Sequence, residues 1–208
     1  MDLDAAEIRV LGCLIEKQRT TPDQYPLSLN SLRLACNQAT NRDPVVDYDE
    51  ATVRAAVDRL SRRGWVRLAS GPGGRVAKYR HLLDEVLGRV PSQVALLAVL
   101  MLRGPQTPGE LKQRVERLYP YSSLEDVQRA LDALAEHELV QRLPRRPGQA
   151  QDRWRQLLGG EGAAPSEPAE GVRSTNVESD TVSQASLEQR VARLEQQVAA
   201  LERALEDR

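Results

Sequence analysis

The segment VRAAVDRLSRRGWVRLASGPGGRVAKYRHLL, Val53 to Leu83, is echoed later in the chain by VQRALDALAEHELVQRLPRRPGQAQDRWRQLL, Val127 to Leu158. With one extra residue in the second turn, Val53 falls on Val127, Asp58 on Asp132 and Leu60 on Leu134, while Val66 falls on Val140, Tyr79 on Trp154 and Leu82–Leu83 on Leu157–Leu158. The first half of each copy repeats its apolar residues in steps of three and four, which is a helix with one buried stripe. The second half is two short runs joined by a turn-rich stretch, SGPGG in the first copy, which reads as a hairpin. The same supersecondary unit is therefore expected twice.

Upstream of Val53, Asp4 stands three residues before Glu7 in a capping-box pattern, and Ile8, Leu11, Leu14 and Ile15 recur at helical spacing, predicting a first helix to about Arg19. The prolines of TTPDQYPL end it. Ser28 then opens a second helix with Leu29, Leu32 and Cys36 on one face, which makes Cys36 a core residue rather than a reactive one. Asp47 with Glu50 predicts the start of a third, ending near Gly64. Three helices and a hairpin describe a winged helix. The order recurs downstream: Ser92 to Arg103 is an apolar helix, Thr107, Pro108 and Glu110 open the next, and Ser122 with Glu125 caps the one carrying Val127, Leu131 and Leu134.

The expected fold class is mainly α with small β-hairpins (α+β): two tandem winged-helix domains, residues 1–84 and 85–158, a flexible linker at 159–185 and a C-terminal coiled-coil helix at 186–208. The linker is poor in large apolar residues and rich in Gly, Pro, Ser and Glu, so it buries too little surface to offset the entropy of ordering. In the last segment Leu187, Val191, Leu194, Val198, Leu201 and Leu205 alternate steps of four and three, with valine at a and leucine at d, a pattern that favours a parallel homodimer. Fewer than three full heptads is close to the limit of independent stability, so a helix exposed to solvent or docked on its own domain is the alternative.

Composition bounds the function. With 208 residues, 40% apolar and 28% charged, the chain reads as globular. Its longest apolar run, Val94 to Leu102, is well short of the roughly 20 residues that span a bilayer, and the acidic start MDLDAAE is no secretory leader, so the expected location is cytoplasmic, with no membrane partner. Cys13, Cys36, His81 and His137 do not supply a metal-ligand cluster, and no phosphate-binding glycine motif is present, so neither a metal nor a cofactor is expected. The histidines lack a companion nucleophile motif, which argues for binding rather than catalysis.

The residues LGCLIEKQ (Leu11–Gln18) and TPDQYPLSLNSLRLACNQATNRDPV (Thr21–Val45) resemble the signature of the YceH-like family of bacterial proteins. The resemblance covers residues 3 to about 158 and implies two winged helices in one unit. It carries no reaction and no catalytic residues.

Net charge is −1, but it is unevenly spread: 13 Lys/Arg against 10 Asp/Glu over residues 1–83, 11 against 10 over 84–158, and 5 against 10 over 159–208. The first repeat is thus the basic one. Its third helix and wing place Arg54, Arg59, Arg62, Arg63, Arg75 and Lys78 outside the apolar stripe, a surface suited to duplex DNA, and Asn41 and Arg42 in the loop before that helix are further candidate contacts. A dimer made through the tail would span two half-sites. The bland reading of the same charges is a solvated helix laced by i,i+4 pairs, with Arg62 and Arg63 offsetting its dipole and the loop residues capping helix ends. Single-stranded nucleic acid is disfavoured by 3% aromatic content and no Phe. The rival function is a protein-interaction scaffold, supported by the acidic residues on the second repeat's third helix.

Overall fold

Asp4 starts the first helix: its carboxylate accepts from the Glu7 backbone N–H at 2.8 Å, and the Glu7 carboxylate accepts from the Asp4 N–H at 2.9 Å. The computed structural model describes residues 2–69, 76–145 and 151–159, all within one compact unit, Met1–Ser166. The elements run α1 (Ala5–Thr20), a 3-10 turn (Pro22–Gln24), β1 (Leu27–Ser28), α2 (Leu29–Cys36), α3 (Glu50–Arg62), β2 (Val66–Leu68), β3 (Lys78–His81), α4 (Leu83–Leu87), α5 (Pro91–Arg103), α6 (Pro108–Val115), α7 (Leu124–Glu136), β4 (Val140–Leu143) and β5 (Arg153–Gln156). The class is α+β, with small antiparallel sheets.

Two helices are buried on every side. In α1 each residue from Glu7 to Ile15 is buried, and in α5 each from Val94 to Leu102. All-round burial means that a helix has neighbours on opposite faces, and α1 packs on α2 and α3 as well as on α5. Gly12 sits where α1 and α5 meet: a Cβ there would lie 2.9 Å from Leu102 Cγ and 3.2 Å from Met101 Cβ. One continuous apolar core joins both repeats through this contact.

In the first repeat the sheet order is β1-β3-β2, with Leu27 opposite Tyr79 and Val66 opposite His81. His81 fastens the sheet to α1. Its backbone N–H donates to the Tyr25 hydroxyl at 2.9 Å, its Nδ1 accepts from the Leu83 N–H at 3.3 Å, and its Nε2 lies 2.7 Å from Gln18 Oε1. Since Nδ1 accepts, Nε2 carries the proton and donates to Gln18. In the second repeat β4 pairs with β5, with Val140 opposite Gln156 and Arg142 opposite Trp154.

Two caps fall one or two residues later than the sequence pattern suggests. Asp49, not Asp47, caps α3, accepting from the Thr52 N–H at 2.8 Å, because Asp47 is drawn back to the Asn37 amide at 3.3 Å. Ser123 with Asp126 closes the capping box of α7 in place of Ser122 with Glu125. The two-residue β1 and the single-turn helix α4 are additions that no sequence periodicity marks.

Candidate nucleic-acid interface

Helix α3 buries Val53, Ala56, Val57 and Leu60 and leaves Arg54, Asp58, Ser61, Arg62 and Arg63 exposed. The expected cations on it divide into two groups. Arg59 turns toward the start of α1, donating to Asp4 and standing 3.6 Å from Glu7 Oε1. Arg63 is 3.8 Å from the same oxygen and donates to the Asp2 carbonyl at 3.1 Å. Glu7 is 2% exposed, and this oxygen has no hydrogen bond, so the two guanidiniums supply the opposite charge that a buried carboxylate needs. Arg59 and Arg63 are therefore committed to helix packing. Arg54 pairs with Glu50 at 2.7 Å in an exposed i,i+4 bridge, which is weak in water. Arg62, among the described residues, faces solvent with no carboxylate partner.

The loop from residue 37 to 49 corrects the reading of Arg42 as a DNA contact. Arg42 is 6% exposed. It donates to Ala35 O at 3.1 Å, Asn41 O at 2.8 Å, Gln38 Oε1 at 2.8 Å, and Glu16 Oε1 and Oε2 at 3.2 and 2.6 Å. Every direction of the guanidinium fork is taken. Asn41, at φ 62°, occupies the left-handed region that asparagine tolerates better than most residues, and its side chain accepts from Arg103 on α5. Asn37 clamps the far end, donating to Tyr48 O at 2.8 Å and accepting from Tyr48 N at 2.9 Å. Arg9, 4% exposed, reaches from α1 to the carbonyls of Cys36 and Pro44. This polar run is thus a brace that fixes where α3 starts.

The hairpin supplies what the sequence reading missed. In β2 and β3 side chains alternate between faces: Val66, Tyr79 and His81 point inward, while Arg67 stands directly opposite Arg80 on the outer face, which Lys78 shares. Like charges across a ladder are destabilising. Among the described residues, Arg80 has one partial partner, Glu85 at 3.4 Å. The corresponding pair in the second hairpin is Gln141 opposite Arg155, where Gln141 Oε1 accepts from Arg155 Nε at 3.0 Å and Nη2 at 2.7 Å. One repeat satisfies its arginine internally; the other sets a second arginine against it. Strict alternation in VRL and KYRH was the available signal. Arg75 lies outside the described residues, as do the dimerisation positions Leu187, Val191, Leu194, Val198, Leu201 and Leu205.

In the second repeat α7 exposes Glu125, Asp132 and Glu136. The hairpin cations Arg142 and Arg145 both engage Asp152, Arg145 at 3.0 Å, and the two arginines lower the Asp152 carboxyl below its ordinary range. Between α7 and this hairpin lies an open cleft of about 310 Å³, lined in part by Pro108, Leu124, Gln128 and Trp154.

Comparison with known proteins agrees with the signature residues. A family model described as "Protein of unknown function, DUF480" matches residues 3–149. The chain belongs to this family. Among its relatives, a UPF0502 protein of Geotalea uraniireducens is 52% identical over 178 residues, covering 81% of each chain. A UPF0502 protein of Pelobacter propionicus is 47% identical over 213 residues, covering 100% of this chain and 96% of its own, and one of Shewanella woodyi is 43% identical, covering 100% and 99%. Family membership spans both repeats. Among the described residues, no helix is long and apolar enough to cross a membrane.

Proposed function

We propose that the two sets of three helices and a hairpin are tandem winged helices, and that the first binds duplex DNA as a non-enzymatic regulator of transcription type. The docking residues are Arg54 and Arg62 on α3 with Arg67, Lys78 and Arg80 on the hairpin, joined by Arg75, which lies between the two strands in sequence. The observation that carries this reading is Arg67 opposite Arg80: like charges at facing ladder positions are a cost to the free protein, and a phosphate bound on that face turns that cost into binding. Neutralising about four phosphates would make affinity fall about 100-fold between about 50 and about 200 mM salt. Fluorescence anisotropy of a labelled duplex reads this directly. Absence of binding at the lower salt, or binding indifferent to salt, overturns the proposal, as does full affinity in a folded Arg62→Glu, Arg67→Glu double variant.

The second reading is a protein-interaction scaffold, favoured by the cleft of the second repeat and the 40% exposure of Leu124 on its wall. Recovery of one stoichiometric protein, resistant to nuclease and lost in Leu124→Arg, would select it. Dimerisation through the heptad positions is proposed for either reading. Sedimentation of the full chain against one ending at Ser166 tests it, and monomer masses for both would remove it.

A further inference from the structure

Helix α3 carries a carboxylate in the middle of its cationic face. Asp58 stands four residues after Arg54 and four before Arg62, so the three follow one another along the exposed side of the helix. Salt bridges at that spacing are available in both directions, and Asp58 makes neither. Arg54 turns away to Glu50 at 2.7 Å, and among the described residues the Asp58 carboxylate has no hydrogen bond and no ion pair. The second repeat treats the same position differently: Asp132, which aligns with Asp58, accepts from the amide of Gln128, which aligns with Arg54, at 2.8 Å. The neighbours differ too. Beside Asp58 the exposed positions Ala51 and Ala55 carry only methyl groups, whereas their counterparts on α7 are Glu125 and Arg129. With so little bulk around it, a side chain as short as aspartate can touch whatever surface α3 lies against.

A carboxylate on a surface that neutralises phosphate opposes binding unless it meets a donor. The phosphates and deoxyriboses of duplex DNA offer acceptors alone, so the donor has to be a base edge. In the major groove the donors are the N6 amine of adenine and the N4 amine of cytosine. Adenine sets its N7 acceptor beside the amine, where it repels a carboxylate; cytosine has no acceptor there. We propose, resting on the DNA-binding reading above, that the first repeat selects sequence through Asp58, whose carboxylate accepts from the N4 amine of a cytosine in the major groove. Arg54 and Arg62, with longer side chains, reach the phosphates on either side. Asp58 thereby lowers affinity for every duplex and restores it for those that place a C·G pair beneath it. That difference turns a general attraction to phosphate into a choice among sequences.

The test is selection from a duplex library randomised in sequence, with the full chain and its Asp58→Asn and Asp58→Ala variants. Asp58 is exposed and unbonded, so neither change removes a contact of the folded chain. The parent should enrich a C·G pair at a fixed place. Replacing that pair by T·A, which puts the O4 acceptor where the amine stood, should weaken binding by about tenfold or more. Asp58→Asn should move the preference at that place to adenine, whose N6 and N7 an amide matches. Asp58→Ala should bind the C·G and T·A duplexes equally, and unrelated duplexes more tightly than the parent does, a negative charge having gone. A parent that binds duplex but enriches no base overturns the assignment and leaves the proposed function standing. So does an unchanged preference for C·G in Asp58→Ala, or a gain in affinity in both variants that is the same for every duplex. No binding to any duplex by the parent and both variants at about 50 mM salt removes the proposed function itself, and this inference with it.

Discussion

Arg42 holds both carboxylate oxygens of Glu16 across 26 residues of sequence, at 3.2 and 2.6 Å, with its own side chain completely buried and that of Glu16 13% exposed. A guanidinium in that position has exchanged water for a full set of oxygen acceptors. Removing it leaves a carboxylate and two backbone carbonyls short of their donor, so Arg42→Ala should lose on the order of 3–5 kcal/mol of unfolding free energy. Arg42→Lys should lose nearly as much, because an ammonium on a flexible stem cannot reach five acceptors in one plane. Urea denaturation reads both. A loss below about 1 kcal/mol for Arg42→Ala would mean that the brace contributes no more than a surface pair.

His81 gives stability a pH dependence. The ring is 2% exposed, and burial first, with the charges of Arg19 and Arg80, pulls its pKa down to about 4, against the opposing pull of Asp84. The unfolded chain therefore binds this proton more readily than the folded one, and stability rises with pH wherever that difference operates. The contribution is complete above the unfolded value of about 6.5 and is lost as pH falls from there toward about 4, an effect on the order of 3 kcal/mol. Unfolding midpoints at pH 7, 5.5 and 4.5 should fall in that order, approximate values that bracket the window. His81→Gln, which keeps a donor for Gln18, should flatten the slope; an unchanged slope would assign it to other groups.

How far the sequence foretold this molecule depended on the range of the forces involved. Helices with local signals, such as the capping box of Asp4 and Glu7 or that of Thr107 and Glu110, were legible because their stabilising bonds close within one turn. The start of α3 was not: Asp47 and Asp49 are equally good caps locally, and the choice is made by Asn37, ten residues upstream of Asp47. The candidate interface shows the same division. Arg62 was readable from helical period alone, whereas Arg42, Arg59 and Arg63 look like surface cations until tertiary packing brings Glu16 and Glu7 to them. Arg67 and Arg80 needed strand register, which depends on partners in two different segments.

The crossing of α1 and α5 is tuned to the missing side chain of Gly12. Alanine gains about 1 kcal/mol in helix propensity, but its methyl meets Leu102 Cγ at 2.9 Å and Met101 Cβ at 3.2 Å, and overpacking of this kind costs about 1–3 kcal/mol. Gly12→Ala should therefore be neutral to mildly destabilising, and Gly12→Val, which adds two more methyls and loses helix propensity, should be clearly worse. Thermal unfolding of the pair reads the difference. Equal stability of valine and glycine at this position would show that the two helices slide apart freely.

Replacing Arg67 by glutamine converts the first hairpin's cross-strand pair into the one the second hairpin already carries. There, glutamine accepts two hydrogen bonds from the facing arginine, so Arg67→Gln should leave the fold as stable as before or slightly more so, the like-charge contact having been removed. DNA binding should move the other way: one phosphate contact fewer lowers the magnitude of the slope of log affinity against log salt by about 0.9. The converse substitution, Gln141→Arg, should weaken the second hairpin without restoring affinity, since the acidic outer face of α7 lies in that repeat. Anisotropy titrations over a range of salt, run beside urea denaturation of the same preparations, separate the two effects. A salt slope unchanged in Arg67→Gln would remove the hairpin's outer face from the interface and leave α3 to bind alone.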